Sequence, residues 1–160
     1  MSNKTLVAYF SAQGRTAKVA KVISEVTGGD LFEIKPDTPY TSADLNWNDS
    51  SSRSSIEMKN KNSRPAVVSK VSNFDEYDIV YVGFPIWWYI APTIINTFLE
   101  QYDFSNKTVI PFCTSGGSGV GETDKYLHSS CSALTKWKPA HRLARGDKSE
   151  VSAWIKSLNI

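Results

Sequence analysis

The chain has 160 residues, 41% of them hydrophobic and 21% charged, which describes one ordinary globular domain with enough material for a buried core. Its 18 basic and 16 acidic side chains leave a formal charge of +2, too small for a nucleic-acid surface and no barrier to an anionic ligand. Cys113 and Cys131 form no CxxC, and His128 and His141 have no ligand spacing, so neither a disulfide framework nor a metal site is expected.

Thr5–Phe10 opens the chain as a strand. A short polar loop follows, Ser11-Ala12-Gln13-Gly14-Arg15-Thr16, and then a helix with Val19, Val22, Ile23 and Val26 on one face, stopped by Gly28 and Gly29. The second strand, Leu31–Lys35, is more polar and suits an edge. From Pro36 to Val71 the chain is rich in Ser and Asn, with Asp49-Ser50-Ser51-Ser52-Arg53-Ser54-Ser55 at its centre. So long a connection in a compact domain is functional or hides short helices, and Ile56-Glu57-Met58-Lys59 fits part of one. This segment must also contain the crossover to the third strand, Asp78–Phe84.

Pro92 then opens a helix that continues through Ile94, Ile95, Phe98 and Leu99. Thr108–Cys113 is the fourth strand, Glu122 to Leu134 a helix, and Trp137–Leu143 a fifth strand near an edge. Asp147, with Glu150 three residues later, forms a capping box before a stripe of Val151, Trp154, Ile155 and Leu158. Strands one, three and four are nearly continuous apolar runs, as central parallel strands covered on both faces are. Alternating strands and helices predict an α/β fold. It is a three-layer, doubly wound, five-stranded parallel sheet in one domain spanning residues 1–160.

Three loops at strand ends carry the chemistry. The first, Ser11 to Thr16, is either a bare helix-capping turn or a phosphate cradle. In the second reading the free N–H groups of the first helical turn face an anion, Ser11 and Thr16 add hydroxyls, and Gly14 admits close approach. Its spacing matches neither GxGxxG nor a P-loop. The third strand runs out into Pro85-Ile86-Trp87-Trp88-Tyr89, either an aromatic plug on the core or a platform for a flat ligand. The fourth ends in Thr114-Ser115-Gly116-Gly117-Ser118-Gly119-Val120-Gly121, a flexible connection or a loop whose backbone lies against a ligand. Phosphate cradle, aromatic platform and close backbone approach together describe a planar heterocycle carrying one phosphate.

At this point the chain resembles the flavodoxin family, over essentially all 160 residues. The family's phosphate loop reads Thr/Ser-x-Thr-Gly-x-Thr, and this chain follows it except at Gln13. Pro85-Ile86-Trp87-Trp88 and Thr114 to Gly119 are similar to one bacterial branch. The resemblance implies strand order 2-1-3-4-5 and FMN at the point where that order reverses. It places the FMN phosphate on Ser11, Ala12, Gln13, Gly14, Arg15, Thr16 and Ala17. Pro85, Ile86, Trp87, Trp88 and Tyr89 would line the isoalloxazine, with Trp87 or Trp88 stacking on it. Thr114, Ser115, Gly116, Gly117, Ser118 and Gly119 would meet its pyrimidine edge, and Trp47 and Asn48 would cover it from the long segment.

The chain also departs from the family. Arg15 either contacts the phosphate or lies on the surface. The family's glycine beside the flavin N5 has no counterpart between Pro85 and Tyr89, and a non-glycine residue resists positive φ. Weak stabilisation of the one-electron-reduced flavin is the expectation. Many family members are strongly acidic, and a charge of +2 provides no such field.

The function implied is an electron-transfer flavoprotein with no catalytic residue and no metal. It would pass electrons from a flavodoxin reductase or ferredoxin-type donor to an acceptor enzyme. The alternative is a small FMN-dependent NAD(P)H or quinone oxidoreductase, with the 36–71 segment lining its pocket. A receiver or binding module of the same strand order is disfavoured because Phe10-Ser11 and Phe84-Pro85 stand where a receiver's acidic residues belong. A low-molecular-weight phosphatase lacks its cysteine at Ser11. The five-residue run Leu6 to Phe10 is far too short for a signal core or a membrane span. A cytoplasmic monomer or weak dimer, off the membrane and away from nucleic acid, is the expectation.

Overall fold

Residues 4–12, 14–114 and 119–160 are described by the structure, a computed structural model. Strand β1 spans Thr5–Tyr9 and helix α1 Arg15–Thr27. Strand β2 is Asp30–Glu33, the short helix α2 Arg53–Lys59, and strand β3 Ile79–Pro85. Helix α3 covers Thr93–Glu100, strand β4 Thr108–Thr114 and helix α4 Thr123–His128. Strands β5, Lys136–Trp137, and β6, His141–Arg142, precede helix α5, Lys148–Leu158.

Every described strand pairing is parallel, and the order is β2-β1-β3-β4-β5 with β6 also on β4. The period-two alternation of the central strands divides the core into two layers. On one face Leu6, Ala8, Val80, Val82 and Val109 pack against Ile94, Ile95, Phe98 and Leu99 of α3. On the other, Val7, Tyr81, Ile110 and Phe112 meet Val19, Ala20 and Ile23 of α1 and Val151, Trp154 and Leu158 of α5. Helices on both faces make the three expected layers.

The differences from the sequence reading have local causes. The fifth strand is two short strands, β5 beside the start of β4 and β6 beside its end. Pro139 lies between them and has no N–H to give the ladder. The next amide, Ala140, donates to the Asp124 carboxylate instead. β2 stops at Glu33 because the chain then turns to pair Pro36 with Val67 in an antiparallel bridge. Pro92 stands just outside α3, with an extended ψ of 145°, so the helix begins at Thr93. α4 ends at His128, six residues short of Leu134. Ser129 and Ser130 send their hydroxyls to the Tyr126 carbonyl and the Glu100 carboxylate, and such side-chain bonds compete with helix.

The polar 36–71 segment is packed. Ser52 caps α2 by accepting from the Ser55 amide, and Met58 is buried on its inner face. Tyr40 donates to Glu57 at 2.5 Å, while Arg53 holds the same carboxylate at 3.0 Å and lies 3.8 Å above the Tyr40 ring. Burial, followed by the bond to Glu57, pushes the Tyr40 phenol well above its ordinary range. Among the described residues no helix is long and apolar enough to cross a membrane.

Candidate functional site

The loops after β1, β3 and β4 leave the same edge of the sheet, because those three strands are neighbours and parallel. The N-terminus of α1 opens there. Gly14 precedes the helix with φ 90° and supplies no side-chain cap. A Cβ at Gly14 would meet nothing within 4 Å, so the space above the first turn is open. The Ser11 hydroxyl accepts from the Gly14 amide at 3.0 Å, which shapes the loop from within. A helix start with no side-chain cap, and open space beside the residue that precedes it, meets the physical requirement for an anion.

Thr16 is buried, and its hydroxyl shares a 2.8 Å hydrogen bond with that of Thr114, also buried. This bond ties the first loop to the end of β4. Arg15 is exposed and donates to the Ala144 carbonyl at 3.3 Å, so its guanidinium lies along the surface toward the turn before α5. Ala12 and Ala17 are half-buried. Gln13, Ser115, Gly116, Gly117 and Ser118 lie outside the described residues. Gly119 is exposed, with no atom within 4 Å of where a Cβ would stand.

The aromatic stretch divides its rings. Pro85 ends β3, and the Ile86 amide donates to the Thr114 carbonyl at 3.0 Å, holding the second loop to the third. Trp87 packs edge-on against Phe10 and Tyr40, at 5.7 and 5.4 Å between centroids. It is the plug on the core. Trp88 and Tyr89 face outward, 43% and 68% exposed. Trp88 is therefore the indole with a free face for a planar ligand.

Trp87 and Ile90 exchange both backbone hydrogen bonds, at 2.9 and 3.2 Å, around a two-residue turn. Trp88 and Tyr89 carry φ values of 49° and 68°, the two left-handed positions of a type I′ turn. The stretch thus takes positive φ without glycine, at the steric cost that L-residues carry there. Gly121 lets this happen: its φ is 54°, and a Cβ there would stand 2.1 Å from the Tyr89 carbonyl oxygen.

Trp47, at 71% exposure, and Asn48 lie across from Trp88, and all three line one cleft of about 370 Å³. The sequence reading includes Trp47, Asn48 and, in the glycine-rich loop, Gly121, but not Tyr40, Arg53 or Glu57. A tyrosine and a serine-rich stretch carry no spacing signal for their meeting. Among the described residues no group of His, Cys, Asp or Glu is placed to hold a metal.

A family model described as flavodoxin matches residues 4–158. Among solved structures, one from Bacteroides eggerthii described as a candidate flavoprotein is 46% identical, with TM-score 0.93 and 99% of each chain covered. A similarly described structure from Bacteroides uniformis is 49% identical, with TM-score 0.92, covering 98% of this chain and 99% of that one. A flavoprotein in complex with FMN from Lactobacillus acidophilus is 25% identical, with TM-score 0.69 and coverage of 96% and 99%. No match is found among curated proteins.

Proposed function

We propose that this chain, which belongs to the flavodoxin family, binds FMN and serves as an electron-transfer protein between a reductase and acceptor enzymes. The observation that carries this reading is the meeting at one sheet edge of an uncapped helix start and an outward-facing indole, Trp88. The FMN complex of the Lactobacillus acidophilus protein supports the choice of flavin. When bound, FMN supplies one- and two-electron redox chemistry that no side chain here provides.

The residues present fit that group. Ser11 and the amides of Arg15, Thr16 and Ala17 would hold the phosphate, with Gly14 leaving it room. Trp88 would cover the ring system, while Trp87 and the Tyr40–Glu57 pair exclude water behind it. Gly121 would keep the Trp88–Tyr89 turn in place. The partners on this reading are a flavodoxin reductase or ferredoxin-type donor and an acceptor enzyme. A cytoplasmic setting is supported by Cys113 and Cys131, both free thiols.

A second reading, an FMN-dependent NAD(P)H or quinone oxidoreductase, is favoured by the cleft between Trp47 and Trp88. The visible spectrum after FMN loading and removal of excess tests the first requirement of both. Retained flavin bands support them, and a colourless protein overturns both. Adding NADPH alone then separates them. Unchanged colour supports the carrier, and rapid bleaching supports the oxidoreductase.

A further inference from the structure

We propose that the lateral edge of the sheet formed by β5 and β6 docks an acidic, extended segment of a partner protein. Among the described residues each of these strands pairs only with β4. The Lys136 and Lys138 amides donate inward, to the Lys107 and Val109 carbonyls, both at 2.9 Å. The Trp137 amide between them therefore faces the open side of the strand. An added strand is the general way for another protein to satisfy such groups.

Charge selects the segment. Residues 124–150 hold six basic and three acidic side chains, which leaves twelve basic and thirteen acidic for the rest of the chain. The positive balance of the molecule is thus concentrated here. The three carboxylates are engaged within the stretch itself. Asp124 accepts from the Ala140 amide at 3.0 Å, and Asp147 from the Arg145 guanidinium and the Glu150 amide. Glu150 accepts from the amides of Ala144, Arg145 and Gly146. Lys136, Lys138 and Lys148 have no carboxylate partner among the described residues.

Strand geometry sets the spacing. Trp137 packs on the core layer of α3, with His128 against its ring at 4.4 Å. Lys136 and Lys138 on either side of it turn to the opposite, α5 face. His141 follows on that face, opposite Phe112 and stacked on Trp154 at 5.3 Å. The two lysines recur at roughly 6.6 Å along the strand, the repeat of alternate side chains in a partner strand. Carboxylates at i and i+2 of that strand would stand against them. A second copy of this edge is disfavoured, because like charges would meet, and lysine on an edge strand commonly prevents self-pairing. Pro139 interrupts the ladder between β5 and β6. The backbone pairing that remains is short, so a neutral strand is held poorly and an acidic one is preferred.

No part of this rests on the flavin, and the test uses the flavin-free and the FMN-loaded protein alike. The probe is a fluorescent peptide of about ten residues alternating Glu and Thr, followed by anisotropy at about 20 mM ionic strength, where screening is weak. One saturable equivalent should bind, and the same peptide with Gln for Glu should not. Lys136→Glu with Lys138→Glu should weaken binding about tenfold. Lys35→Glu with Lys70→Glu, beside β2 at the other lateral edge, makes the same change in net charge and should leave binding within about twofold. Unchanged melting temperatures will show that the variants fold. Hydrogen exchange at the Trp137 amide should slow when the peptide is bound. Absence of saturable binding, equal weakening by the two pairs of substitutions, or unaltered exchange at Trp137 would each overturn the inference. Equally tight binding of a single-stranded oligonucleotide of the same charge would overturn the choice of a protein strand. If the protein fails to take up FMN, the flavin reading falls and this one is still decided by the peptide.

Discussion

Tyr89 holds φ at 68° with most of its ring in water. A left-handed backbone costs an L-residue roughly 1–2 kcal/mol, and little packing of the exposed ring returns it. The two Trp87–Ile90 hydrogen bonds and the fit of Gly121 against the Tyr89 carbonyl maintain the turn. Strain kept at a ligand-facing turn is typical of functional sites. Asparagine tolerates this conformation far better. Tyr89→Asn should therefore raise stability by about 0.5–1 kcal/mol, a gain of roughly 1–4 °C in melting temperature for a chain of this size. A scanning calorimeter checks it, and an unchanged or lower melting temperature would show that the ring stabilises more than its exposure suggests.

At the scale of elements, the start of α5 shows how a sequence signal is altered by its surroundings. Asp147 caps the helix by accepting from the Glu150 amide at 2.8 Å, half of the expected capping box. Glu150 reaches past Asp147 and accepts from the amides of Gly146, Arg145 and Ala144, at 2.7, 2.9 and 3.2 Å. Burial alone would raise its carboxyl. The Gly146 and Arg145 amides, helped by the Arg145 charge, outweigh that and hold it below the ordinary value of 4.5. Asp147 is also lowered, first by the Glu150 amide and then by the Arg145 side chain. Depressed carboxyls stabilise the fold above their unfolded values, and that stability is lost as pH falls through the folded ones. Glu150→Gln should cost about 1 kcal/mol at pH 7 and less at pH 3. Urea unfolding of both proteins at the two pH values reads the difference. An equal cost at both would assign the effect to shape instead of charge.

For the whole molecule, ligand linkage gives the most direct reading. A ligand that binds only the folded state at about one hundred times its Kd adds about 2.7 kcal/mol. FMN at that excess should therefore raise the melting temperature by roughly 5–10 °C. A melting temperature indifferent to FMN contradicts the flavin assignment independently of any spectrum. The formal charge of +2 leaves little long-range field for drawing in a partner. On the proposed reading, recognition of a redox partner would depend on local features of the loop edge, such as the outward Trp88 and Tyr89.

The chain by itself determined the fold class, the order of elements and the identity of the three loops. Apolar runs of strand length, a helical stripe at Val19 and Ile23, and turn residues between them are local signals, and local sterics and burial fix their outcome. The edge positions of the second and fifth strands were legible in the same way, since polar residues in a strand cannot be covered on both faces. Tertiary structure decided what those signals could not carry. Which of three adjacent aromatics turns inward depended on Phe10 and Tyr40, remote in sequence, giving Trp87 the core and Trp88 the solvent. The left-handed turn at Trp88 and Tyr89 is imposed by hydrogen bonds across it and by the space left at Gly121, against the preference of its own residues. The cleft exists only because a serine-rich stretch folds into α2 and sets two lysines beside Trp88. Local chemistry writes the strands and loops, whereas long-range packing chooses which of their side chains remain available to a ligand.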